Sequence, residues 1–89
     1  MRRAAKVDRN QAEIVHALRQ IGATVQHLHS LGRGCPDILV GYRGHNFLFE
    51  LKVGKAKLTE KESEWHSTWK GQLATVRSFD DAFRLIRKA

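Results

Sequence analysis

The sequence predicts an α/β fold: a mixed sheet flanked by helices, with the element order αβββαβα. Three observations predict it. Apolar residues recur at helical spacing near both ends of the chain, two alternating apolar runs meet at Arg43-Gly44, and a helix signal at Thr59 separates those runs from one more short strand.

Asp8 and Gln11 make a capping-box pattern ahead of Ile14, Ala17, Leu18 and Ile21, and Gly22 offers the stop, so the first element is an amphipathic helix. Thr24-Val25-Gln26-His27-Leu28 has strand composition, and Gly32-Arg33-Gly34 reads as a loop. Asp37 to Tyr42 and Asn46 to Lys52 read as a hairpin about Arg43-Gly44. Centring the turn there makes Tyr42 face His45, Val40 face Phe47, Ile38 face Phe49 and Asp37 face Glu50. This register collects Ile38, Val40, Phe47, Phe49 and Leu51 on one face, which a one-residue slip would scatter. Gly54 breaks the strand. Thr59 with Glu62 forms a second capping box for a helix running through Trp65 and Trp69 to Lys70, with Gly71 after it. Leu73-Ala74-Thr75-Val76 is the fourth strand, and its helical crossover permits parallel pairing. Ser78 caps a last helix carrying Ala82, Phe83, Leu85 and Ile86.

A chain of 89 residues suits one small domain spanning 1–89, in which residues 1–6 form a mobile basic arm. A formal charge of +7 favours a polyanionic partner such as nucleic acid. No apolar run approaches membrane-spanning length, so no membrane partner is expected, and the basic N-terminus lacks an apolar signal core. Cys35 is the only cysteine, which rules out an internal disulfide and fits a reducing, cytoplasmic compartment. No base is recognisably spaced to activate it, and a small thiol packed before a strand is the simpler reading. His27 and His29 alternate on a strand with no downstream ligand pair, which argues against zinc.

The chemistry concentrates in Pro36-Asp37 and Glu50-Leu51-Lys52. In the register above the two acids are cross-strand neighbours, and Lys52 shares a face with Glu50. Facing carboxylates repel unless a cation sits between them, and a hard, oxygen-seeking ion such as Mg²⁺ meets that need. Held there, it would polarise a phosphodiester oxygen and activate a water, with Lys52 orienting that water or stabilising the phosphorane's charge. The plainer alternative is that Asp37 only opens a strand, with Glu50 and Lys52 an exposed ion pair.

With the motifs in this order, the chain resembles the PD-(D/E)XK nuclease superfamily, whose restriction-endonuclease-like core has the same element order and whose motif matches Pro36-Asp37 and Glu50-Leu51-Lys52. More narrowly it resembles the virus-type replication-repair nuclease group, VRR-NUC, through Gln11-Ala12-Glu13-Ile14-Val15, Leu58-Thr59 ahead of Trp65-His66, and Val76-Arg77-Ser78. The resemblance covers nearly the whole chain. It implies a Mg²⁺- or Mn²⁺-dependent DNA endonuclease acting as a homodimer on branched DNA such as Holliday junctions, in a bacterial or phage-infected cell. It gives Asp37 and Glu50 to the metal, Leu51 to the metal through its carbonyl, and Lys52 to catalysis. The first-helix acid falls on Glu13, with Gln11 as the other candidate. Arg77 is the phosphate contact the motif favours, and Lys55, Lys57, Lys61 and Arg33 are further candidates on a basic surface. Where relatives carry glutamine in the second helix this chain has Glu62, which either adds charge near the scissile phosphate or completes the Thr59 cap.

Trp65 and Trp69 share a helical face that suits core or dimer packing better than base stacking. His66, beside them, is open to a DNA contact or a structural hydrogen bond. A nucleic-acid-binding module that keeps a nuclease core without turnover is the alternative function. A nuclease for linear duplex would differ in substrate rather than chemistry.

Overall fold

Arg3-Ala4-Ala5-Lys6 contains strong helix formers, and the first helix starts with them rather than at Asp8. The computed structural model describes residues 3–89, with side-chain surroundings from Asn10 onward. Helix α1 spans Arg3–Gln20, so Asp8 lies within it instead of capping it. The arm expected over residues 1–6 falls outside the described residues at its first two positions and is helical from Arg3. At the other end Gly22 adopts φ +97°, with Ala23 N–H donating to Leu18 O and Gly22 N–H to Arg19 O. That is a Schellman stop, for which glycine has no steric penalty.

Strands β1 (Thr24–His27), β2 (Ile38–Tyr42), β3 (His45–Leu51) and β4 (Ala74–Val76) form one sheet in the order β1-β2-β3-β4, with α2 at Glu60–Thr68 and α3 at Phe79–Ile86. A short 3₁₀ turn, His29–Leu31, follows β1. The first three strands are antiparallel and β4 runs parallel to β3. The hairpin has the expected register, with Ile38 opposite Phe49, Val40 opposite Phe47 and Tyr42 opposite His45. Arg43 and Gly44 both have positive φ, 51° and 82°, as a two-residue turn matched to strand twist requires.

Side-chain alternation gives the sheet two unlike faces. Ile38, Val40, Phe49 and Leu51 are buried together with Ile14, Val15 and Leu18 of α1, Val76 of β4, and Ala82 and Ile86 of α3. Leu85, expected in that stripe, is instead exposed. The other face carries Leu39, Leu48, Glu50 and the following Lys52, and α2 meets it through Glu62. Helix α2 has no fully buried residue and ends at Thr68, before the expected Lys70. Local chemistry fixes its start: the Thr59 hydroxyl accepts from Glu62 N–H, and Glu62 Oε1 accepts from Thr59 N–H at 2.8 Å.

Candidate active site

Asp37 is tied to both neighbouring strands. Its N–H donates to Phe49 O at 3.1 Å, and its carbonyl accepts from Leu28 N–H at 2.8 Å. Its carboxylate Oδ2 accepts from Leu51 N–H at 2.7 Å. The acid therefore has little freedom to turn away from the end of β3. Buried Pro36 precedes it.

Glu50 retains only 2 % exposure, and its Oε1 is buried without a hydrogen-bond partner. Such a group is costly, because a charged oxygen removed from water needs a donor or a cation. Burial, followed by the charges of Asp37 and Glu62, pushes the Glu50 carboxyl up to about 9. Lys52 Nζ stands 3.9 Å from Glu50 Oε2 but only 2.7 Å from Glu62 Oε1. The lysine is thus shared between β3 and α2 and leans toward α2. Burial works against ionisation of Glu62, but hydrogen bonds from Lys52 and Thr59 N–H outweigh it and hold the carboxyl below its ordinary value. Glu62 completes the Thr59 cap and also brings its carboxylate to Lys52.

The other candidate residues spread around this centre. On α1, Glu13 is exposed, whereas Gln11 turns inward at 7 % exposure and its amide nitrogen lies 2.9 Å from His27 Nδ1. Leu51 supplies an N–H to Asp37, a contribution its side-chain identity gives no hint of. Arg33, Lys55, Lys57 and Lys61 are exposed. Arg77 donates through Nη1 to the carbonyls of Gly54 and Ala56, both at 2.8 Å, so it pins the loop that carries Lys55. The half-buried Cys35 thiol is pushed up by burial and by the charges of Glu50 and Asp37, which disfavours the nucleophilic thiolate. His66 holds a buried Nε2 with no partner. Trp65 and Trp69 stack on each other, ring centroids 4.7 Å apart, with Trp69 exposed and its indole N–H donating to Gln72 O.

Among the described residues no three His, Cys, Asp or Glu side chains are gathered closely enough to form a ready metal cage. The donor set nevertheless suits a hard divalent ion: Asp37 and Glu50 offer carboxylate oxygens, and the buried Glu50 Oε1 has no hydrogen-bond partner of its own.

No family model matches the sequence, and no curated protein matches it. Among solved structures, one described as a VRR_NUC domain matches with a TM-score of 0.72 and 27% identity, over 92% of this chain and 95% of that one.

Proposed function

Given a VRR-NUC fold, we propose that this chain is a divalent-metal-dependent DNA endonuclease that hydrolyses backbone phosphodiesters, with branched DNA such as Holliday junctions as substrate and a homodimer as the working form. One observation carries the reading: a buried glutamate with an unpartnered oxygen stands within reach of a second carboxylate's charge and of a lysine. A purely structural ion pair would have its oxygens satisfied.

Asp37 and Glu50 would hold Mg²⁺ or Mn²⁺, which when bound supplies Lewis-acid polarisation of the phosphoryl oxygen and a more acidic water. Leu51 N–H fixes one Asp37 oxygen and orients the carboxylate. Lys52 presents its ammonium to the charge that develops on the phosphorane, and Glu62 holds that ammonium in place through the 2.7 Å contact. The net positive charge of the chain assists encounter with a polyanion.

The test compares cleavage of four-way, splayed and linear DNA with Mg²⁺ and Mn²⁺, in wild type and Lys52→Ala. Cleavage of the junction that Lys52→Ala abolishes while affinity stays within a few-fold supports the enzyme. Tight binding without cleavage by the wild type with either ion identifies a non-catalytic binding module instead.

A further inference from the structure

Away from the acid pair, α1 and β1 enclose an open cleft of about 400 Å³ lined by Gln11, His16, Arg19, His27 and His29, together with Ala12 and Val15. Its lining includes no carboxylate, and its one permanently charged side chain is a guanidinium. The wall is built from several elements. Gln11 is buried and donates its amide to His27 Nδ1, so the neutral ring carries its proton on Nε2 as a donor. His29 packs edge-on against His27, with centroids 5.9 Å apart. Arg19 spends one amino group on Val25 O at 3.2 Å and retains others. Imidazole, amide and guanidinium donors without a competing acid make a site for an oxyanion. The three histidines are not gathered as a metal site.

The location makes the ligand more specific. His27 pairs with Ile38, and the next residue, Leu28, bonds to the backbone of Asp37. The cleft therefore begins at the end of the sheet that holds the acids, on the face that α1 covers and opposite the one that carries Glu50, and runs back along β1 toward Arg19. We propose that it is a subsite for a DNA backbone phosphate remote from the scissile one, so that the bound DNA wraps the edge of β1 between this face and the one that carries Glu50. This rests on the nuclease reading above and adds the path of the DNA.

Binding of a labelled four-way junction in EDTA, measured by anisotropy across a salt series, tests the subsite separately from cleavage. Removing one phosphate contact flattens the salt slope by about 0.9 and weakens binding roughly fivefold at 0.15 M salt. Arg19→Ala shows this loss, Arg19→Lys keeps the slope because it keeps the charge, and His16→Ala, at an exposed position, weakens binding without unfolding the protein. Unchanged affinity and slope in Arg19→Ala and His16→Ala, beside a wild type that binds and cuts, overturns the subsite and leaves the nuclease reading intact. A wild type that binds no junction overturns both.

Discussion

Replacing Glu50 by Gln removes one ionisable group and almost no volume, so it isolates the electrostatic cost of the buried acid. The Glu50 carboxyl moves from 4.5 to about 9 on folding. Below pH 4.5 both folded and unfolded chains hold the proton. Between 4.5 and about 9 the folded protein keeps a proton that the unfolded chain has released, so stability falls as pH rises; above about 9 the loss is complete. At about 1.4 kcal/mol per pH unit, the wild type in EDTA has lost about 3 kcal/mol by pH 7 relative to pH 4.5 through this group alone. Glu50→Gln escapes that loss. Urea titrations of both proteins from pH 5 to 9 give the difference directly, with the other carboxylates cancelling between them. In melting curves each kcal/mol corresponds to about 4–8 °C for a chain of this size. A difference that does not widen with pH, or a Gln variant less stable than wild type at pH 8, refutes the assignment of Glu50 as a buried acid that resists ionisation.

Asp37→Ala leaves Leu51 N–H without its acceptor and is expected to be about 1–3 kcal/mol less stable than Asp37→Asn, which keeps an oxygen there; the pair of denaturation midpoints measures it. Thr59→Ala breaks the capping box of α2 and costs about 1 kcal/mol, read as a shift in midpoint at constant m. Gly34 has φ +85°, and a Cβ there would lie 2.3 Å from Lys61 O. Gly34→Ala is therefore expected to cost about 2 kcal/mol or more and to loosen α2, seen as faster amide exchange over that helix. Metal binding at pH 7 is expected to release close to one proton from wild type and none from Glu50→Gln, which calorimetry in buffers of different ionisation heat resolves.

The hairpin was legible because two independent constraints agree on its register: the period-two apolar pattern of Ile38, Val40, Phe47 and Phe49, and a turn that needs positive φ at Arg43 and Gly44. The same holds for the starts of α2 and α3, where Thr59 and Ser78 accept from N–H groups three residues on. The start of α1 was not legible, because an aspartate six residues before a periodic run is as compatible with a helix interior as with a cap. The engagement of Arg77 with Gly54 and Ala56 was illegible for a different reason. An arginine at the end of a strand carries no local sign of whether its donors meet a phosphate or a backbone carbonyl.

The partner of Lys52 marks the limit of sequence reading most clearly. Alternation along β3 places Lys52 on the same face as Glu50, yet its shorter contact is with Glu62, whose approach depends on how α2 crosses the sheet. That crossing is tertiary information, and it changes the charge balance of the site. Glu50 and Glu62 both approach the Lys52 ammonium, and the charge of Asp37 acts on Glu50 beside them. In the folded chain without a cation, a proton on Glu50 avoids the cost of burying its charge and relieves part of this excess, which is why the carboxyl rises so far. A divalent ion would relieve it more fully and leave the ammonium free to face substrate. The stability lost in burying Glu50 is therefore the same electrostatic imbalance that would draw the ion in, so the site's weakest point as structure is its strongest argument as chemistry.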